Sequence, residues 1–136
     1  MESAGFLSQI RQNFSSQPDR RAFYIAGTSY SYGELSALVA EIQQKIRQAP
    51  GTNDHVGVWL GDDIQTYASI LALWMSGMAF VPVNPLFPEA RNRKIIEQTA
   101  LKLLLHSHDF DENLLIPGCT SISTGNLQPL PGRIPE

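Results

Sequence analysis

The sequence predicts an α/β domain: a three-layer unit with a mostly parallel sheet and helices on both faces, preceded by an N-terminal helix and a short hairpin. Three observations predict it. The runs "HVGVWL", "MAFVPV" and "LKLLLH" have strand length and lack polar alternation, so they suit strands covered on both faces. Helical patterns separate these runs between residues 33 and 106, the order of β-α-β units with right-handed crossovers. A chain of 136 residues, 43% hydrophobic and 17% charged, is long enough for one buried core and ordinary in composition for a globular protein.

Each element has its own signal. Phe6, Leu7, Ile10 and Phe14 stand at one-turn spacing, which makes a short amphipathic helix ending near Gln17-Pro18-Asp19. "AFYIAGTSYSY" reads as two short strands around Gly27. Ser31 with Glu34 three residues on has the form of a capping box. It opens a helix whose Leu35, Leu38, Val39, Ile42 and Ile46 share one face, and Pro50-Gly51 ends it. After "HVGVWL", Gly61-Asp62-Asp63 turns the chain into a helix over residues 63–76. Ile64, Tyr67, Ala68, Leu71, Trp74 and Met75 form its stripe; Ile70 and Leu73 lie outside it, so the helix is apolar nearly all round and mostly buried. Gly77 stops it, and Trp59, Trp74, Met75 and Met78 are read as core. Pro82 near the end of "MAFVPV" places that strand at an edge or a bulge. Pro88 at a first-turn position and Glu89 open a helix through about Thr99. The domain reading is residues 1–116 as the α/β unit and 117–136 as an irregular Pro/Gly-rich tail, with one short strand at "TSIS".

Several function classes are disfavoured by composition. The net charge is −3 and the basic residues are scattered, so no cationic face is offered to nucleic acid or anionic lipid. The single cysteine, Cys119, has no internal disulfide partner, and "MESAGFLSQIRQNF" lacks the pattern of a signal peptide; a cytoplasmic location is expected. Residues 64–88 run 25 positions without a charge, but only Ala68 to Val83 is mainly apolar. A membrane span needs about 20 apolar residues, so a buried helix followed by a buried strand is the reading.

Ligands of open α/β sheets bind at the carboxyl ends of the strands. The loops Gly61-Asp62-Asp63, Asn84-Pro85-Leu86 and His106-Ser107-His108-Asp109 would share that edge. Asp62 and Asp63 are read as helix N-terminal carboxylates that accept amide hydrogen bonds; no G-x-G-x-x-G precedes them, and two aspartates would repel phosphate. "HSHDFDE", with His106, His108, Asp109, Asp111 and Glu112, and Cys119 further on, has metal-like composition without a zinc spacing, and is read as a solvated loop. "STGN", residues 123–126, lacks the second glycine and the lysine of a phosphate loop and is read as a turn. Lys45, Lys94 and Lys102 all lie inside predicted elements, and no G-x-S-x-G occurs. No catalytic, cofactor-binding or metal residue is therefore assigned.

Two segments in this order, "YSYGELSALVAEIQQKI" and "VGVWLGDDIQTYASILALWMSGMAFVPVNPLFPEARNRKIIEQTALKLLL", resemble the N-terminal part of the adenylate-forming, AMP-binding enzymes. These comprise acyl-CoA synthetases, firefly-type luciferases and amino-acid adenylation domains. The resemblance covers about residues 22–106 and rests on a T/S-Y-x-E-L helix start at Ser31–Leu35 and a G-x-A-x-V-P segment at Gly77–Pro85. "FPEARNRKIIE" looks like the Pro-x-x-Arg helix of amino-acid adenylation domains and the D-alanine carrier-protein ligase, with Arg91 as the matching arginine. The resemblance implies a parent that uses ATP and magnesium to convert a carboxylic acid, preferentially an amino acid, to an acyl adenylate for a carrier-protein or CoA thiol. The family's Ser/Thr/Gly-rich loop and its C-terminal lysine have no counterpart here, and "PGRIPE" resembles the stretch just before that loop. The expectation is an inactive N-terminal part whose partner is the remainder of the same polypeptide and which self-associates through exposed apolar surface. A stand-alone interaction module with the same fold and a small unrelated ligand-binding α/β domain are the rival readings.

Overall fold

The computed structural model describes residues 2–25, 27–49 and 54–127, with the backbone alone for residues 2–7. Helix α1 spans Glu2–Ser16 and buries Phe14 against the core. Phe6 and Leu7 lie among the side chains outside the description. Strands β1 (Arg21–Ile25) and β2 (Thr28–Ser31) pair antiparallel as the expected hairpin. Helix α2 (Tyr32–Gln48) starts on the expected capping box: Glu34 N donates to Ser31 Oγ at 3.1 Å, and Ser31 N donates to Glu34 Oε1 at 3.0 Å. The helix closes at Ala49, while Pro50-Gly51 fall outside the described residues.

A parallel four-stranded sheet follows, in the order β4-β3-β5-β6. Its strands are β3 (His55–Trp59), β4 (Ala79–Val83), β5 (Leu103–His106) and β6 (Thr120–Ser123). The registers run Val56↔Phe80, Val58↔Leu105 and Leu105↔Ile122. Among the described residues strand β4 lies at an edge, one of the two placements, edge or bulge, that Pro82 allows. Leu60 N donates to the Val83 carbonyl and Ala79 N to the Asp54 carbonyl, so odd-numbered positions face β3 and Pro82, which has no N–H, faces outward. The strand expected at "TSIS" is β6, which joins the sheet beside β5. Residues 128–136 of the tail lie outside the described residues.

Alternation along the strands divides the core in two. Val56, Val58, Leu103 and Leu105 point to one face, where they meet Leu38, Ile42 and Leu35 of α2 and Ile64, Ala68, Leu71 and Leu73 of α3 (Ile64–Met75). Trp59, Val83 and Leu104 point to the other, against Ile96 of α4 (Glu89–Gln98), Leu101 and Leu114. Helices cover both faces. Each fully buried Leu, Ile or Val contributes about 1.5–3 kcal/mol relative to exposure, so neither layer is dispensable. The uncharged stretch 64–88 is thus α3, a turn and β4, and no described helix is long and apolar enough to cross a membrane. Gly77, at φ 74°, takes the left-handed conformation that ends α3.

Three readings need correction. Trp74 is not core: it is 39% exposed and packs edge-on against Phe80, with ring centroids 5.9 Å apart. Met78 is only half-buried. The cause is that α3 is sandwiched between α2 and the sheet. Leu73, outside the stripe, is fully buried, and the wet strip is narrowed to the side carrying Tyr67, Ile70 and Trp74. Pro88 is the residue before α4 and not within its first turn.

Candidate functional site

The four parallel strands end on one edge. From β3 the chain passes through α3 to β4 on one side, then through α4, across the opposite face, to β5 on the other side. The strand order therefore reverses between β3 and β5, which is where doubly wound sheets open a crevice for ligands.

Side chains at that crevice are bonded to one another. Asp63 caps α3 by accepting from Thr66 N at 2.8 Å, and its second oxygen accepts from Ser107 Oγ at 2.7 Å. Thr66 Oγ1, on a buried residue, lies 3.2 Å from Ser107 Oγ, and His108 Nδ1 lies 3.3 Å from it. His108 Nδ1 also stands 4.0 Å from the outer Asp63 oxygen. These residue types are those of a nucleophilic triad, but their order differs. Ser107 donates directly to the carboxylate, whereas nucleophile activation requires the histidine to stand between serine and acid. The arrangement ties the end of β5 to the start of α3.

Asp62 departs from the expected capping role. It accepts from the Tyr67 hydroxyl at 2.8 Å, and this bond to a carboxylate holds the phenol proton above the usual tyrosine range. The turn "STGN" is clamped to the same edge. Thr124, buried, donates from N at 2.7 Å and from Oγ1 at 3.2 Å to the His106 carbonyl. Gly125 lies flat on the Ser107 backbone, so close that a Cβ there would overlap the Ser107 carbonyl oxygen. The Thr124 amide is thus already paired, and no phosphate cradle forms from it.

The metal-like residues are dispersed. His106 stacks on Phe110 and its Nδ1 lies 3.2 Å from the His108 carbonyl. Trp59 Nε1 donates to the Asp109 carbonyl at 3.1 Å, Asp111 caps a short 3-10 turn at Asn113 N, and Glu112 accepts from Ser121. Cys119 packs with the second core cluster, where burial pushes its thiol pKa up and away from the reactive thiolate. Among the described residues, no group of three or more His, Cys, Asp and Glu could hold a metal. Arg91 lies over the Phe87 ring, 4.0 Å from its centroid. The loops after β3 and β5 hold Asp62, Asp63, Asp109 and Asp111, and among the described residues neither they nor residues 124–127 after β6 carry lysine or arginine. The Asp63–Ser107 pair was not singled out from sequence, although its signal was present: both residues directly follow strands that end on one edge.

Comparison with known proteins settles the family. The AMP-binding enzyme family matches residues 10–127. The chain belongs to the AMP-binding enzymes. Surfactin synthase subunit 2 of Bacillus subtilis is 33% identical over 88 residues, which is 64% of this chain and 2% of that protein. N-(5-amino-5-carboxypentanoyl)-L-cysteinyl-D-valine synthase of Penicillium rubens is 31% identical over 96 residues, 68% of this chain and 3% of the synthase. Syringomycin synthase SyrB1 of Pseudomonas syringae is 28% identical over 107 residues, 77% of this chain and 17% of that protein. This AMP-binding chain therefore spans a small part of the length of the curated relatives it matches. Its fold is that of solved nonribosomal peptide synthetases. A four-domain synthetase bound to AMP and glycine superposes with a TM-score of 0.78 at 26% identity, over 91% of this chain and 9% of that one. The synthetase FmoA3 bound to α-methyl-L-serine-AMP superposes at 0.76 and 22% identity, over 98% and 15%.

Proposed function

We propose that this AMP-binding chain is the N-terminal scaffold of an AMP-forming ligase of the amino-acid adenylating kind. In such a ligase an amino acid's carboxylate attacks the α-phosphate of ATP with magnesium present, pyrophosphate leaves, and the acyl group of the adenylate passes to a carrier-protein or CoA thiol. The observation that carries the reading is the family match over residues 10–127, joined to relatives and structural neighbours that are peptide synthetases. Phosphoryl chemistry needs positioned cations around developing negative charge, and the loops after β3 and β5 carry carboxylates without lysine or arginine, which supports a scaffold role. No step is therefore assigned to them, and the domain's role is to present a packed sheet to the rest of the polypeptide. Among the described residues β6 pairs on one side only, and Tyr24, Trp74 and Leu86 are exposed large hydrophobics, which supports self-association of the chain alone. A cytoplasmic location belongs to the same reading, and fractionation of the source cells checks it.

The test is exchange of labelled pyrophosphate into ATP across a panel of amino acids, with the 136-residue chain and with the full product of its gene assayed side by side. Exchange by the full product alone is the expected result. Exchange by the chain alone would overturn the scaffold role. If neither exchanges with any amino or other carboxylic acid, the ligase reading falls and the interaction module takes its place.

A further inference from the structure

The opposite, amino-terminal edge of the sheet carries a histidine that neither the fold nor the proposed ligase role uses. His55 opens β3, and both of its ring nitrogens meet acceptors. Nδ1 lies 3.0 Å from Asp54 Oδ1, and Nε2 lies 2.6 Å from the carbonyl of Thr99, the residue that closes α4. A neutral imidazole has one N–H and one lone pair. It can satisfy only one of these partners, and its lone pair would then face an oxygen. The imidazolium satisfies both, and its charge sits where the negative end of the α4 dipole is concentrated.

We propose that His55, as the imidazolium, is a proton-dependent clasp that fastens the C-terminus of α4 to the start of β3. The corner it holds is tight. Thr99 N, Ala100 N and Leu101 N return to the Ile95, Glu97 and Ile96 carbonyls, and Ala100 is a non-glycine residue at φ 50°. Ala79, the partner of His55 on β4, and Ala100 after α4 are apolar. Among the described residues, the charged group bonded to the ring is Asp54.

Both shifts agree with the geometry. The bond to Asp54, then that to Thr99, raises the His55 pKa above its ordinary 6.5, and the His55 bond holds Asp54 below its ordinary 3.8. A histidine raised in the folded state contributes fully below 6.5 and loses its contribution as pH rises through the folded value. Asp54 contributes above 3.8 and fades as pH falls through its lowered value. The clasp is therefore complete from about pH 4 to 6.5, and opens on the alkaline side at the histidine.

The experiment is NMR titration of the three histidines of the 136-residue chain, with hydrogen-exchange protection factors at Thr99, Ala100 and Leu101 measured at each pH. His55 is expected to titrate above its ordinary 6.5. Protection at the corner should fall about two- to fivefold as the pH passes its pKa, the size of one helix-terminal charge, while mid-helix α2 amides stay unchanged. In Asp54→Asn, at an exposed site that leaves the fold intact, the His55 titration should drop towards the ordinary value and the pH dependence of corner protection should shrink. A His55 that titrates at or below its ordinary 6.5 overturns the proposal. So does corner protection that ignores pH, or an Asp54→Asn chain that titrates as the parent does.

Discussion

Replacing Asp63 by alanine tests whether the crevice at the strand ends is a structural tie. Two interactions are lost together. The α3 cap at 2.8 Å is worth about 0.5–2 kcal/mol, and the hydrogen bond from Ser107 to a carboxylate at 2.7 Å about 1.5–3 kcal/mol. Ser107 keeps Thr66 and His108 as neighbours and is only half-buried, so the second figure is taken near its lower end. The expected cost is about 2–4 kcal/mol in urea unfolding, with the midpoint lowered and the slope unchanged. Asp63→Asn keeps an acceptor for Thr66 N and should cost about 1 kcal/mol, the charge contribution alone. A double-mutant cycle of Asp63→Ala with Ser107→Ala should give a coupling of about 1 kcal/mol or more. Loss of less than about 0.5 kcal/mol in Asp63→Ala, a surface-like value, would refute the tie, and zero coupling would place the cost in the cap alone.

Ile96→Ala, in the smaller core layer under α4, should destabilise by about 2–5 kcal/mol, because the site is fully buried and a cavity remains; thermal melting followed by circular dichroism reads it. Gly125→Ala should cost more than about 3 kcal/mol, since the added methyl meets Ser107 backbone that cannot move aside without breaking β6 from β5. Limited proteolysis should then cut first near residues 107 and 125. Iodide should quench about half of the tryptophan fluorescence, that of the exposed Trp74, while Trp59 stays protected; Trp74→Phe should abolish the accessible component and hardly change stability.

Much of the fold was legible because each signal was local. The capping box, the Gly77 stop and the apolar runs of β3 and β5 each fix an element from a few residues. Pro82 went further and offered an edge or a bulge, because a missing N–H is a statement about neighbours, and the edge is what forms. Strand order was not legible: β5 lies beside β3 and β4 does not separate them, which depends on which face each crossover helix covers. The same limit explains Trp74. A hydrophobic stripe assumes one covering surface, and α3 has two, α2 and the sheet, so the fully buried Leu73 and the exposed Trp74 exchange the places that periodicity gives them.

The candidate site was legible in position and not in content. Loops after parallel strands were expected to meet, and they do. What they would do on meeting depended on side-chain geometry: "HSHDFDE" has the composition of a ligand set, yet its residues are drawn to different partners, Ser107 and His108 to Asp63 and the Asp109 carbonyl to Trp59. Asp63, Ser107, Thr66 and Thr124 spend their hydrogen-bonding groups on one another and on the His106 carbonyl. An edge whose donors and acceptors are already paired is rigid, acidic and poor at receiving a polyphosphate. On the proposed function that is the useful state for it. A scaffold that must hold the cation-bearing parts of a ligase in register gains from strand ends tied to one another, and Asp63, whose carboxylate joins the start of α3 to the loop after β5 while Thr124 ties the end of β6 to His106, is the residue on which that rigidity turns.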